Sequence, residues 1–129
     1  MTLQPIFDYK ILIKSFFNKR NSVDRIFVKS GRIAFSSIIS IIRENNAINK
    51  IILPNLICDE LIEVAQSHKI KINYYNIDNK LNYNMKEIEE LAVDKNNIIV
   101  FVNYFGFECD HIISEKLKNN FIIEDNAHI

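Results

Sequence analysis

Glycine is scarce in this 129-residue chain, which has only Gly31 and Gly106. Two isolated glycines cannot write a G-x-G-x-x-G dinucleotide turn, a G-x-x-x-x-G-K-[ST] phosphate loop or a G-x-S-x-G nucleophile elbow, so those three chemistries are excluded in their usual form. Cysteine is equally sparse. Cys58 and Cys109 lie far apart, and with His68, His111 and His128 they form neither a C-x-x-C nor an H-E-x-x-H pattern, so no metal site is expected. An excess of one charge is lacking too: Lys+Arg 16 balances Asp+Glu 16. A nucleic-acid backbone or an anionic membrane surface would be met by surplus Lys and Arg, so small molecules or proteins are the favoured partners. No apolar run approaches the ~20 residues that span a bilayer, and the start Met1-Thr2-Leu3-Gln4-Pro5 lacks a basic segment leading into an apolar one. The expected location is cytoplasmic, with reduced thiols.

What is present is apolar and ordered. Hydrophobic residues make up 48% of the chain and charged ones 25%, the composition of one globular domain with a sizeable core rather than of a disordered chain. Residues 1–24 read as a lead-in, with Phe7, Ile11, Leu12 and Phe16 at helical spacing over residues 7–17. Residues 25–29 are short and β-branched. Ser30-Gly31 breaks that pattern before a long apolar helix over residues 33–42, apolar enough on all sides to need cover on two faces.

From residue 50 the chain alternates between short apolar runs and amphipathic stretches, the signature of βαβ units. Strands are expected at residues 51–53, 70–75, 98–102 and 121–123. Asp59 is placed to cap a helix carrying Leu61, Ile62, Val64 and Ala65, and Asn84 with Glu87 has capping-box spacing ahead of Met85, Ile88, Leu91 and Ala92. Residues 110–118 read as a further helix, with Ile112, Ile113 and Leu117 inward. The last two strands are unbroken apolar runs, which strands buried on both faces require. The expected fold is α/β, a mostly parallel sheet with helices on both faces and right-handed crossovers. No linker or repeat divides residues 25–129.

Ligands of open parallel sheets bind beyond the carboxyl ends of the strands, which here means residues 54–58, 103–106 and 124–128. Asp125 follows the fourth apolar run, with His128 three residues on; these are either ligand groups or a capping Asp and a surface His. Ser30-Gly31-Arg32 opens a helix whose free N–H groups attract a phosphate, or Ser30 simply caps it and Gly31 relaxes the turn. Tyr104 and Phe105 either shape a pocket or pack on the core. Cys58 neighbours Asp59 rather than a cation, which gives no reason to expect an activated thiol.

Taken in order, these segments resemble the amino-terminal part of the large domain of the DegT/DnrJ/StrS family of pyridoxal-phosphate-dependent sugar aminotransferases. The resemblance is carried by Ser30-Gly31-Arg32-Ile33-Ala34-Phe35, Ile51-Ile52-Leu53-Pro54 with Cys58, residues 73–78, Val102-Asn103-Tyr104-Phe105-Gly106, and Ile123-Glu124-Asp125-Asn126-Ala127-His128. The last of these resembles the family's Glu-Asp-Ala-Ala-His/Gln signature. The resemblance implies a partial fold-type-I, aspartate-aminotransferase-like domain and pyridoxal 5'-phosphate as cofactor. Asp125 would pair with the protonated pyridine nitrogen, His128 would contact the cofactor beside it, Ser30, Gly31 and Arg32 would lie at the phosphate, and Cys58 would lie over the ring. Cys58 stands where many members have an aromatic residue, and Asn103 where the family usually has His.

The implied substrates are a nucleotide-linked keto sugar and an amino-acid donor, in polysaccharide or glycoside biosynthesis, with a homodimer as the complete assembly. The family's Schiff-base lysine falls after the Glu-Asp motif and beyond residue 129, so no catalytic residue is assigned and the chain alone is expected to be inactive. A continuation with histidine in place of that lysine would imply a dehydratase. Two alternatives stand beside this reading: a non-catalytic, flavodoxin-like α/β binding module, and one half of a split enzyme completed by a separate lysine-bearing chain.

Overall fold

The computed structural model describes residues 9–12, 27–106 and 114–127. The chain builds a five-stranded sheet from β1 (Tyr9–Leu12), β2 (Lys50–Pro54), β3 (Lys71–Tyr75), β4 (Ile98–Val102) and β5 (Phe121–Asp125), in the spatial order β1-β5-β4-β2-β3. Strands β2 to β5 are mutually parallel. β1 pairs antiparallel with β5, in a register that sets Tyr9 opposite Asp125 and Leu12 opposite Ile122. Three α-helices join the series: α1 (Gly31–Asn45), α2 (Asp59–Ser67) and α3 (Met85–Leu91). The α/β class and the mostly parallel sheet agree with the sequence expectation.

Alternation along the strands sorts the core into two layers, because successive side chains of a strand point to opposite faces. Ile51, Leu53, Ile98, Val100 and Ile123 meet Phe35, Ile38, Ile39 and Ile42 of α1 and Leu61, Val64 and Ala65 of α2. Ile52, Ile99, Phe101 and Ile122 face the other way, onto Tyr75, Ile88, Ala92 and Leu117. Strand β4 is buried at every position, which explains its unbroken apolar sequence. In the second layer Tyr75, Tyr83 and Phe101 pack edge-on or tilted, with centroids 5.2 to 6.3 Å apart. The Tyr75 hydroxyl donates to the Val100 carbonyl at 2.8 Å, so the ring is buried without an orphaned polar group.

Several local expectations are corrected. Where helical spacing predicts a helix over residues 7–17, Tyr9–Leu12 is a strand, because β5 offers an open edge that outweighs four residues of local preference; the rest of that segment lies outside the described residues. Phe27, Val28 and Lys29 belong to no strand. α1 is not covered all round: Ile33 and Ile41 are 44% and 47% exposed, and its buried stripe is Ala34, Phe35, Ile38, Ile39 and Ile42. Cys58, not Asp59, occupies the cap position of α2; Asp59 and Glu60 form its first turn, where their charge complements the helix dipole. The Asn84 carboxamide caps α3 by accepting the Glu87 N–H at 3.2 Å, but Glu87 does not close a capping box. Its carboxylate instead receives the Asn76 N–H and Nδ2 at 2.9 and 2.8 Å, tying α3 to the end of β3. Of the helix expected over residues 110–118, the described part is a single 3-10 turn at Glu115–Leu117, with Leu117 buried as predicted.

Candidate functional site

The strand order makes a switch point. From β2 the chain steps outward to β3 and then crosses back past β2 to β4, with α2 on one face of the sheet and α3 on the other. In such sheets the loops leaving the two strands at the reversal diverge to opposite faces, and a crevice opens beyond their carboxyl ends. The loops concerned are residues 55–58 after β2 and residues 103–106 after β4. They are tied across the crevice by the Tyr104 hydroxyl, which donates to the Leu56 carbonyl. Tyr104 is buried, so of the two aromatics singled out here it packs on the core. Phe105 is 69% exposed and held at φ 53°, ψ 29°, a left-handed conformation that costs a side-chain-bearing residue energy.

Asp125 lies one rung further along, as the last residue of β5 and beside β4, in register with Val102. It is one of the three buried polar or charged residues among those described, the others being Asn97 and Asn103. Its carboxylate Oδ1 accepts the Ala127 N–H at 2.9 Å. The Asn103 N–H donates to the Asp125 carbonyl at 2.9 Å, extending the β4–β5 ladder past the end of β4. The Asn103 side chain donates through Nδ2 to Asn126 Oδ1 at 2.5 Å. These hydrogen bonds tie the aspartate to the turn that follows it and tie that turn to the end of β4. Asn103 and Asn126 stand where the pattern this chain resembles has His and Ala.

The helix starts share this end of the sheet. α2 and α3 each follow a parallel strand, so both begin on the carboxyl side. α1 ends four residues before β2, so it too begins there, and its 15 residues are long enough to run the depth of the sheet. Side-chain contacts agree: Arg32 pairs with Glu63, and the Ser36 hydroxyl lies 2.9 Å from His68 Nε2, so α1 and α2 run side by side in one direction. The Ser30 hydroxyl caps α1 by accepting the Ile33 N–H at 3.3 Å. That leaves the N–H groups of Gly31 and Arg32 outside the ladder of the helix.

Of the residues read from the sequence, then, Ser30, Gly31, Cys58 and Asp125 lie on the carboxyl side of the sheet. Arg32 shares the first turn of α1, but its guanidinium is committed to Glu63 on the α1–α2 surface rather than to the helix start, an orientation set by helix docking that no local pattern encodes. Cys58 is exposed and makes no capping bond. His128 lies outside the described residues. The residues not anticipated as polar partners are Tyr104 and Asn126, whose contacts exist only once β2, β4 and β5 are aligned.

Pyridoxal 5'-phosphate places definite demands on such a site, and they are met in part. A carboxylate buried at a strand end suits a protonated ring nitrogen, and the capped start of α1 with unladdered N–H groups suits a phosphate. The side chain of Arg32 does not serve that phosphate. Away from this edge, burial first and the Arg43 guanidinium second hold the His68 imidazole below its ordinary pKa, while Arg43 Nη1 donates to the His68 carbonyl at 2.7 Å. Among the described residues no three His, Cys, Asp or Glu side chains gather as a metal site, and no helix is long and apolar enough to cross a membrane. Comparisons with protein-family models, with curated proteins and with solved structures give no match to this chain.

Proposed function

We propose that this chain forms the amino-terminal part of the large domain of a pyridoxal-phosphate enzyme that transfers an amino group to a nucleotide-linked keto sugar. The observation that carries the reading is Asp125, a buried carboxylate at the carboxyl end of a parallel strand, oriented by the Ala127 N–H. When bound, the cofactor would supply an electron sink for amino transfer. Asp125 would hold a proton on the ring nitrogen. Ser30 and the N–H groups of Gly31 and Arg32 would meet the phosphate, with no help from the Arg32 guanidinium. Cys58, at the head of α2, would offer a small, exposed side chain toward the ring. The sugar and donor specificity rest on the sequence resemblance, and the reading assigns the amino-transfer lysine to a position outside residues 1–129.

The test is a titration of the 129-residue chain with pyridoxal 5'-phosphate, followed by visible absorbance and by amide chemical shifts. Saturable binding that perturbs Gly31 and Asp125 is expected. Asp125→Asn should weaken it roughly tenfold, the loss of one charge-assisted hydrogen bond. If pyridoxal 5'-phosphate leaves both amides unmoved at millimolar concentration, the cofactor reading fails.

A second reading is favoured by one specific observation. The parallel strands β2 to β5 lie in the order second-first-third-fourth, the order of flavodoxin-like sheets. A binding module of that kind would take a phosphate compound at the same edge with no preference for the pyridoxal ring. Equal affinity for pyridoxal 5'-phosphate and an aliphatic phosphate ester would select it.

A further inference from the structure

We infer that Asn103 and Asn126 form a positioning pair that fixes the Asp125 carboxylate. The function assigned to that carboxylate rests on the cofactor reading; the positioning itself rests on the geometry. Asp125 ends its strand, and a strand's last side chain has no further rung to hold it. Two contacts from β4 hold the turn over residues 125–127, on the side of β5 away from β1, where Tyr9 stands opposite Asp125. The Asn103 backbone N–H holds the Asp125 carbonyl at 2.9 Å, and Asn103 Nδ2 holds Asn126 Oδ1 at 2.5 Å. With both in place, the Ala127 N–H points back at Asp125 Oδ1, 2.9 Å away.

Asn103 is 4% exposed, so its carboxamide is fixed by its surroundings and acts as a rigid bracket. Asn is also the right length: its side-chain N–H₂ donors follow its backbone donor on the same residue, so one residue grips two successive positions of the partner strand. Asn126 is only half-buried and supplies the acceptor. Both are positioning residues, acting through Asp125.

Two readouts on the full chain test this. Without cofactor, Asn103→Ala and Asn126→Ala should each speed hydrogen exchange of the Ala127 N–H by about fivefold or more, the weight of one net hydrogen bond, while core amides such as Ile99 keep their rates. Asn126→Asp keeps an acceptor for Asn103 and should leave Ala127 protected. With pyridoxal 5'-phosphate, both alanine variants should weaken binding by a similar factor and Asn126→Asp should not. If Asn103→Ala does not fold, Asn126→Ala, at a half-exposed position, still decides the matter. Unchanged Ala127 exchange in Asn126→Ala overturns the inference whatever the cofactor does. Faster exchange with unweakened binding also overturns it. Faster exchange in a chain whose native form ignores pyridoxal 5'-phosphate supports the pair and rejects the cofactor reading.

Discussion

At the scale of single residues, His68 and the 105–106 turn give separate, checkable consequences. The His68 imidazole is held below its ordinary pKa, so the folded chain favours its neutral form, while the unfolded chain takes up the proton near 6.5. Between the lowered value and 6.5 the unfolded state binds more protons, so stability rises with pH through that window. The contribution is whole above 6.5 and is lost as the pH falls below it. Urea midpoints should therefore drop from about pH 7.5 to about pH 5.5, and His68→Gln should flatten that part of the profile; an unchanged slope in the variant would exclude His68 as the source. The turn after β4 is governed by backbone sterics instead. Gly106 has φ 79°, so Gly106→Ala should cost about 1 kcal/mol, whereas Phe105→Gly, at φ 53° and an exposed position, should gain up to about that much. Paired chemical denaturation curves would show opposite signs for the two.

At the scale of elements, strands β2, β4 and β5 were legible because each carries a compact apolar run between polar turns, the pattern that burial on both faces requires. The edge strand β3, buried only at Tyr75, was legible instead from its strand-favouring Ile72, Tyr74 and Tyr75. Strand β1 was not, since its four residues take their conformation from an open edge far away in sequence. The same division separates the site residues. Asp125 could be found from its place after an apolar run, whereas the Asn103–Asn126 contact depends on the β4–β5 register and the Arg32–Glu63 pair on how α1 docks against α2. Short-range helix signals fared in between: Asn84 caps α3 as its spacing foretold, but the Glu87 carboxylate was claimed by Asn76. The central strand should be the least forgiving element. Ile99 is fully buried on β4, and Ile99→Ala should cost about 2–5 kcal/mol by denaturant unfolding. A cost below about 1 kcal/mol would mean that the second core layer is looser than its packing indicates.

At the scale of the whole molecule, the sheet brings Asn103, Asp125 and its helix starts to one edge, while the third buried polar residue, Asn97, lies at the opposite end of β4. The crevice comes from strand order alone, so it would persist through many substitutions in the loops that line it. The outermost strands differ: β3 follows directly from the core units, while β1 is added from the other end of the chain and covers the flank of β5. Removing residues 1–12 should uncover that flank and turn a monodisperse elution profile into a concentration-dependent one, because an unpaired strand edge templates association. Retained monodispersity would show that β1 is dispensable. The antiparallel register of β1 on β5 has a mechanical consequence. Tyr9 and Asp125 face each other at the same end of the pair, so tension applied outward from these two positions loads the rungs one after another, as in a zipper, and not all together in shear. Such a joint yields at low force, and its first rung is the one at the aspartate. A pull on the chain would therefore disturb the candidate site before it disturbed the core.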